Sequence, residues 1–136
     1  MLFAHQSLPM NQKRYTMGRP LPKLAVRFFC ERAGVEPVRD WLKALPPEDR
    51  RIIGEELRTL QFGWPVGMPL VRKIDGSLWE IRVHLHRRAA RLMFTIDHTE
   101  AVLVHGFIKK SRKTPPSDLR VARVRARQVR RAAGGK

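Results

Sequence analysis

Acidic residues are scarce in this chain. Twelve Asp and Glu stand against 28 Lys and Arg in 136 residues, a formal charge of +16. Such a charge says little about fold and much about partners, and nucleic acid is the commonest polyanion that fits it. An acidic protein or an anionic membrane surface are the other options. Cysteine is nearly absent: Cys30 stands alone, which excludes an internal disulfide and a Cys-x-x-Cys metal site. Its apolar neighbours in LAVRFFC predict a buried thiol. No apolar run approaches the ~20 residues that span a bilayer. The opening stretch MLFAHQSLPMNQKRYTMGRPLP has no apolar signal-peptide core, so the expected setting is the cytoplasm. A Gly-rich phosphate loop and a Ser-His-Asp set are also missing.

What is present suits one compact domain. Hydrophobic residues make up 43% of the chain, enough for a core and too many for global disorder. Residues 1–21 read as a flexible extension, 22–132 as the folded domain and 133–136 as a disordered tail. Met10 and Met17 offer alternative translation starts. LAVRFFC (24–30) reads as a first strand. In EPVRDWLKAL, Val38, Trp41, Leu42 and Leu45 fall at i, i+3, i+4, i+7, the stripe of a short helix. Pro46-Pro47 stops it. A second helix runs to about Phe62, with Glu48 and Asp49 in its first turn and Ile53, Leu57 and Leu60 on one face. LWEIRVHL (78–85) alternates strictly, with Trp79, Ile81, Val83 and Leu85 against Glu80, Arg82 and His84. ARLMFTID and AVLVHGFIKK follow, joined by a tight DHTE turn. Thr114 is a candidate cap for a last helix, with Pro115 at its first position. Leu119, Ala122, Ala126 and Val129 form that helix's apolar stripe, and Arg120, Arg123, Arg127 and Arg130 its basic flank. The predicted order is β-α-α-β-β-β-α, an α+β domain with a small antiparallel sheet and helices on one face.

The charge is concentrated late. From Lys109 to Lys136 there are 11 Lys and Arg and one acid, Asp118, against 17 basic and 11 acidic residues in the rest. If Trp79, Ile81, Leu92, Phe94 and Ile96 face the helices, the opposite sheet face carries Glu80, Arg82, His84 and Arg91. The last strand's matching parity gives His105, Phe107 and Lys109. The strands around DHTE run antiparallel, which brings Lys109 near Arg91. One patch then collects Glu80, Arg82, Arg91, Lys109 and Lys110, rimmed by Arg112 and Lys113. Phe107 is placed either to stack a base or to pack internally. His84, His86 and His105 lack a companion carboxylate or thiolate pair, so neither a metal nor another cofactor is expected. Cleavage of RNA suits the patch. Guanidinium and ammonium groups can neutralise the charge that builds as a 2′-hydroxyl attacks the adjacent phosphorus. Glu80 is a candidate base for the 2′ proton, and a Lys whose pKa neighbouring cations lower can serve as base or acid.

These residues carry a family resemblance. KIDGSLWEIRV (73–83), ARLMFTID, HGFIKKSRKTPPSDL (105–119) and the following A-R-x-R helix resemble the RelE/ParE toxin superfamily, closest to its phage-derived, HigB-like branch. The resemblance covers about residues 24 to 130. It implies a RelE-like fold: a small antiparallel sheet, an N-terminal helical hairpin on one face and a C-terminal helix. It also implies a toxin of a type II toxin–antitoxin pair, a metal-independent endoribonuclease that cuts mRNA on the ribosome and stops translation. Its partner would be a helix-turn-helix antitoxin. The family's basic active-site positions fall on Arg82, Arg91 and Lys109 or Lys110, and Glu80 stands where some relatives have Lys. Residue pattern and resemblance together give Glu80, Arg82, Arg91 and Lys109 as the expected catalytic residues, with His84, Phe107, Lys110, Arg112 and Lys113 expected to bind RNA. The alternatives are a ParE-like inhibitor of DNA gyrase and a non-catalytic nucleic-acid-binding protein.

Overall fold

In a computed structural model, which describes residues 21–134, eight elements follow one another: β1 (Ala25–Phe28), α1 (Pro37–Lys43), α2 (Pro47–Gly63), β2 (Val71–Asp75), β3 (Leu78–Leu85), β4 (Arg88–Asp97), β5 (Glu100–Ile108) and α3 (Pro116–Gly134). All but residue 21 of the expected extension lie outside the described residues, as do the last two residues of the expected tail. The architecture is the α+β arrangement expected, with differences in its strands and in the placement of α3. β2 is an additional strand, and the sheet is mixed. Its order is β1-β5-β4-β3-β2, with β1 parallel to β5 and the other neighbours antiparallel. A chain that passes through two helices between β1 and β2 is free to return β1 beside β5 in parallel.

The two sheet faces are covered by different helices. On one face Ile81, Val83, Leu85, Leu92, Phe94 and Leu103 meet Val38 and Leu42 of α1 and Ile53, Leu57 and Leu60 of α2. Trp79 joins this layer and stacks on Phe94 with ring centroids 6.0 Å apart. On the other face Leu78, Met93, Val102 and Val104 meet Ala122, Ala126 and Val129 of α3. The stripe expected on α3 is therefore its packing face, but α3 lies opposite the hairpin rather than beside it. The small Ala122 and Ala126 side chains, both buried, suit close approach of the helix to the sheet.

Three local contacts fix the frame. Trp41 of α1 lies on Gly106 of β5, so that a Cβ at 106 would sit 2.7 Å from the ring. Gln61 of α2 is buried, and its Oε1 accepts the Val26 N–H at 2.9 Å, while its backbone carbonyl accepts from Lys23 and Leu24. This satisfies the Val26 N–H on the outer edge of β1, where no further described strand pairs. Buried Asp49, in the first turn of α2, pairs with Arg88 at the start of β4. Cys30 is exposed, contrary to the buried thiol expected, because β1 ends at Phe28 and the chain has left the sheet. Among the described residues no helix is long and apolar enough to cross a membrane.

Candidate functional site

The α3-facing side of the sheet carries the polar rows. Across β2, β3, β4 and β5 the register aligns Arg72, Glu80, Met93 and His105 in one row and Arg82, Arg91 and Phe107 in the next. His84 pairs with Ala89, and Lys109 donates its backbone N–H to the Ala89 carbonyl at 2.7 Å. Lys109 therefore lies one row beyond Arg91, a diagonal neighbour. β5 bulges between Leu103 and His105. The extra residue, Val104, packs under α3, and His105 reaches Asp118 in the first turn of α3 at 2.6 Å.

Glu80 lies at the centre of this face and is fully buried; Arg91 is 3% exposed. Arg91 Nη1 donates to Glu80 Oε1 at 2.9 Å, and Arg72 Nη2 approaches the same oxygen at 3.4 Å. The Thr114 hydroxyl donates to Oε2 at 3.0 Å. Both carboxylate oxygens are thus engaged, which is the condition for holding a charge away from water. These two residues are covered rather than solvated because α3 and the segment before it close over the rows. Thr114, expected to cap α3, spends its hydroxyl on Glu80, and the helix begins two residues later at Pro116.

Above the Glu80–Arg91 pair lies an open cleft of about 420 Å³ lined by Arg72, Arg82, Arg91, Arg112, Lys113 and Thr114, with Ile74 and Leu119 as its apolar wall. Five cations border it and Glu80 offsets one. Arg72 Nε is buried without a hydrogen-bond partner. Arg82 is half-buried and Arg112 and Lys113 are exposed; none of the three makes a side-chain hydrogen bond or ion pair with a described residue. Their charge is available to a ligand.

The structure brings Arg82, Arg91, Arg112 and Lys113 together around the cleft, over Glu80. Lys109, Lys110 and His84 lie outside its lining: Lys109 is half-buried, and Lys110 and His84 are exposed. Phe107 packs into the α3 core and stacks on His105 at 5.7 Å. Arg72 joins the cleft as well, and so does Thr114, whose position in the sequence suggests only a helix cap. Arg72 belongs to the overlooked strand β2, whose signal was the Asp75-Gly76-Ser77 turn. The Asp75 carboxylate accepts the Ser77 N–H at 3.1 Å, a typical turn device. Among the described residues no group of three or more His, Cys, Asp or Glu is placed to hold a metal. Arg125 anchors α3 by donating to the Val104 carbonyl at 2.8 Å. Burial lowers its pKa from the usual guanidinium value, against the raising effect of Glu31, and it stays cationic.

Residues 40–127 match the family model of phage derived protein Gp49-like (DUF891). The chain belongs to this Gp49-like family. That is a RelE-like toxin family of toxin–antitoxin systems, and the mixed sheet with its C-terminal helix is consistent with a RelE-like fold. No curated protein matches the chain significantly. All the cleft residues lie inside the Gp49-like match, whereas β1 and the last turns of α3 lie outside it. Membership fits a toxin with an antitoxin partner.

Proposed function

We propose that this Gp49-like protein is a toxin of the HigB-like kind, acting in the cytoplasm as a metal-independent endoribonuclease on ribosome-bound mRNA, and that a helix-turn-helix antitoxin neutralises it. The observation that carries this reading is the cleft in which Arg82, Arg112 and Lys113, none with a partner among the described residues, stand beside Arg91. In this reading a phosphodiester enters the cleft and the free guanidinium and ammonium groups bind its non-bridging oxygens. They stabilise the charge that grows as the 2′-oxygen attacks phosphorus and the 5′-oxygen leaves. Phosphate contacts of this kind position a strand without reading its sequence.

Glu80, with both oxygens engaged and no exposure, acts in this mechanism by holding Arg91 toward the cleft and tying down Thr114. Proton transfer falls to His84 and Lys109, which stand one row beyond Arg82 and Arg91, outside the cleft lining. Exposed Lys110 adds charge next to Lys109. Phe107 supports the row from beneath α3.

One observation favours a second reading. The described cleft-lining residues include no carboxylate, imidazole or phenol, which suits a cleft that binds phosphates without cutting. Growth and message integrity separate the two. Under the nuclease reading, induction arrests growth and produces new mRNA 5′ ends, and Arg82→Ala abolishes both while the protein still folds. New ends absent during arrest would refute nuclease action, and double-strand breaks in DNA with intact messages would point to gyrase.

A further inference from the structure

The cleft does not end at its own rim. Leu119, which forms part of its apolar wall, also borders a second groove of about 340 Å³ along α3, lined by Pro116, Leu119, Arg120, Arg123 and Arg127. The two grooves share this residue and therefore adjoin each other. Arg120 and Arg127 are exposed and have no described partner, whereas Arg123 is paired with Asp75 at 3.2 Å. They are two helical turns apart, about 10 Å along the axis, and both stand on the rigid helix that packs on the sheet.

We infer that the α3 groove is an extension of the cleft that holds the flanking phosphates of the same single-stranded polynucleotide. The inference rests on the reading of the cleft as a polynucleotide site. A single strand suits the geometry because it can bend at Leu119 from the sheet face onto the helix, and the groove is lined with cations without any aromatic or amide that would read a base. Arg120 and Arg127 then supply affinity for length, and the cleft residues supply the point of reaction.

The test is binding of two 2′-O-methyl RNA probes, a trinucleotide and a decanucleotide, which cannot be cleaved by 2′-oxygen attack. Arg120→Ala/Arg127→Ala removes two exposed side chains and keeps helix propensity. The expected result is unchanged affinity for the trinucleotide and weakened affinity for the decanucleotide. The salt dependence of decanucleotide binding should also fall by about 1.4 in log–log slope, about 0.7 for each lost contact. Over a fourfold rise in salt the wild type then loses about sevenfold more affinity than the variant. Equal weakening for both lengths, or wild-type slope and affinity for the decanucleotide, would overturn the inference. So would preference for duplex over single strand, or loss of binding confined to a polyglutamate peptide, which would give the helix to an acidic protein partner. Length-dependent loss of binding in a protein that cuts no message would support the extended track while removing the nuclease reading, so the two can fail separately.

Discussion

Arg91 invites an alanine substitution as a test of the candidate site, and the structure shows why that variant would mislead. Arg91 is 3% exposed and Glu80 fully buried; their contact at 2.9 Å is the closer of the two ion pairs to Glu80. Arg91→Ala leaves the carboxylate in place with the Thr114 hydroxyl and the longer Arg72 contact. Removing one partner of a buried pair costs about 3–5 kcal/mol, because the remaining charge stays desolvated. A domain of this size shifts by a few degrees per kcal/mol, so the melting temperature should drop by roughly 10–20 °C. Urea unfolding of purified protein measures the free-energy loss, and a thermal melt the drop in melting temperature. Arg82→Ala, which removes a half-buried side chain without a described partner, should stay within about 0.5 kcal/mol of wild type. Glu80→Gln combined with Arg91→Ala should lose less than the sum of the single variants, by about 0.5–3 kcal/mol. Wild-type stability in Arg91→Ala, or strict additivity in the double variant, would refute the view that this pair is a buried structural contact. Loss of toxicity in Arg91→Ala alone therefore does not distinguish a missing catalytic group from an unfolded protein.

Two further substitutions probe the frame that holds the site. Gly106→Ala puts a Cβ 2.7 Å from the Trp41 ring and should cost about 1–3 kcal/mol by overpacking, partly recovered by Trp41→Leu in the same chain; urea midpoints check both. Gln61→Leu leaves the buried Val26 N–H without its acceptor and should cost about 1–3 kcal/mol, with faster hydrogen exchange at Val26 than in wild type as the local signature.

Much of this molecule is visible in its pattern of residues. The alternation in LWEIRVHL assigns Glu80, Arg82 and His84 to one face and Ile81 and Val83 to the other, and the observed packing has that division. The helical stripe of Leu119, Ala122, Ala126 and Val129 is equally plain. The face this stripe covers is a different matter, because periodicity shows that a helix buries one side without saying against what. That choice decides whether Glu80 and Arg91 are solvated or enclosed. β2 is hidden for a related reason. As an edge strand it carries Arg72 and Lys73 in place of apolar residues, so the period-two signal is weak and only the turn at Asp75–Ser77 marks it. Thr114 illustrates competition between local and distant partners: its position suits a cap, but a buried carboxylate 34 residues away in sequence takes the hydroxyl. The apolar residues around Cys30 suggest a longer strand than the four-residue β1.

The most direct test of the central claim uses purified protein in a cell-free translation reaction, with the 5′ ends of the ribosome-bound message mapped after addition of wild type or Arg82→Ala. The expected result is new message ends with wild type and none with Arg82→Ala, at equal urea midpoints for the two proteins. Identical cleavage by both, or translation arrest by wild type with every message intact, would contradict a cleft in which unpartnered cations promote phosphodiester cleavage.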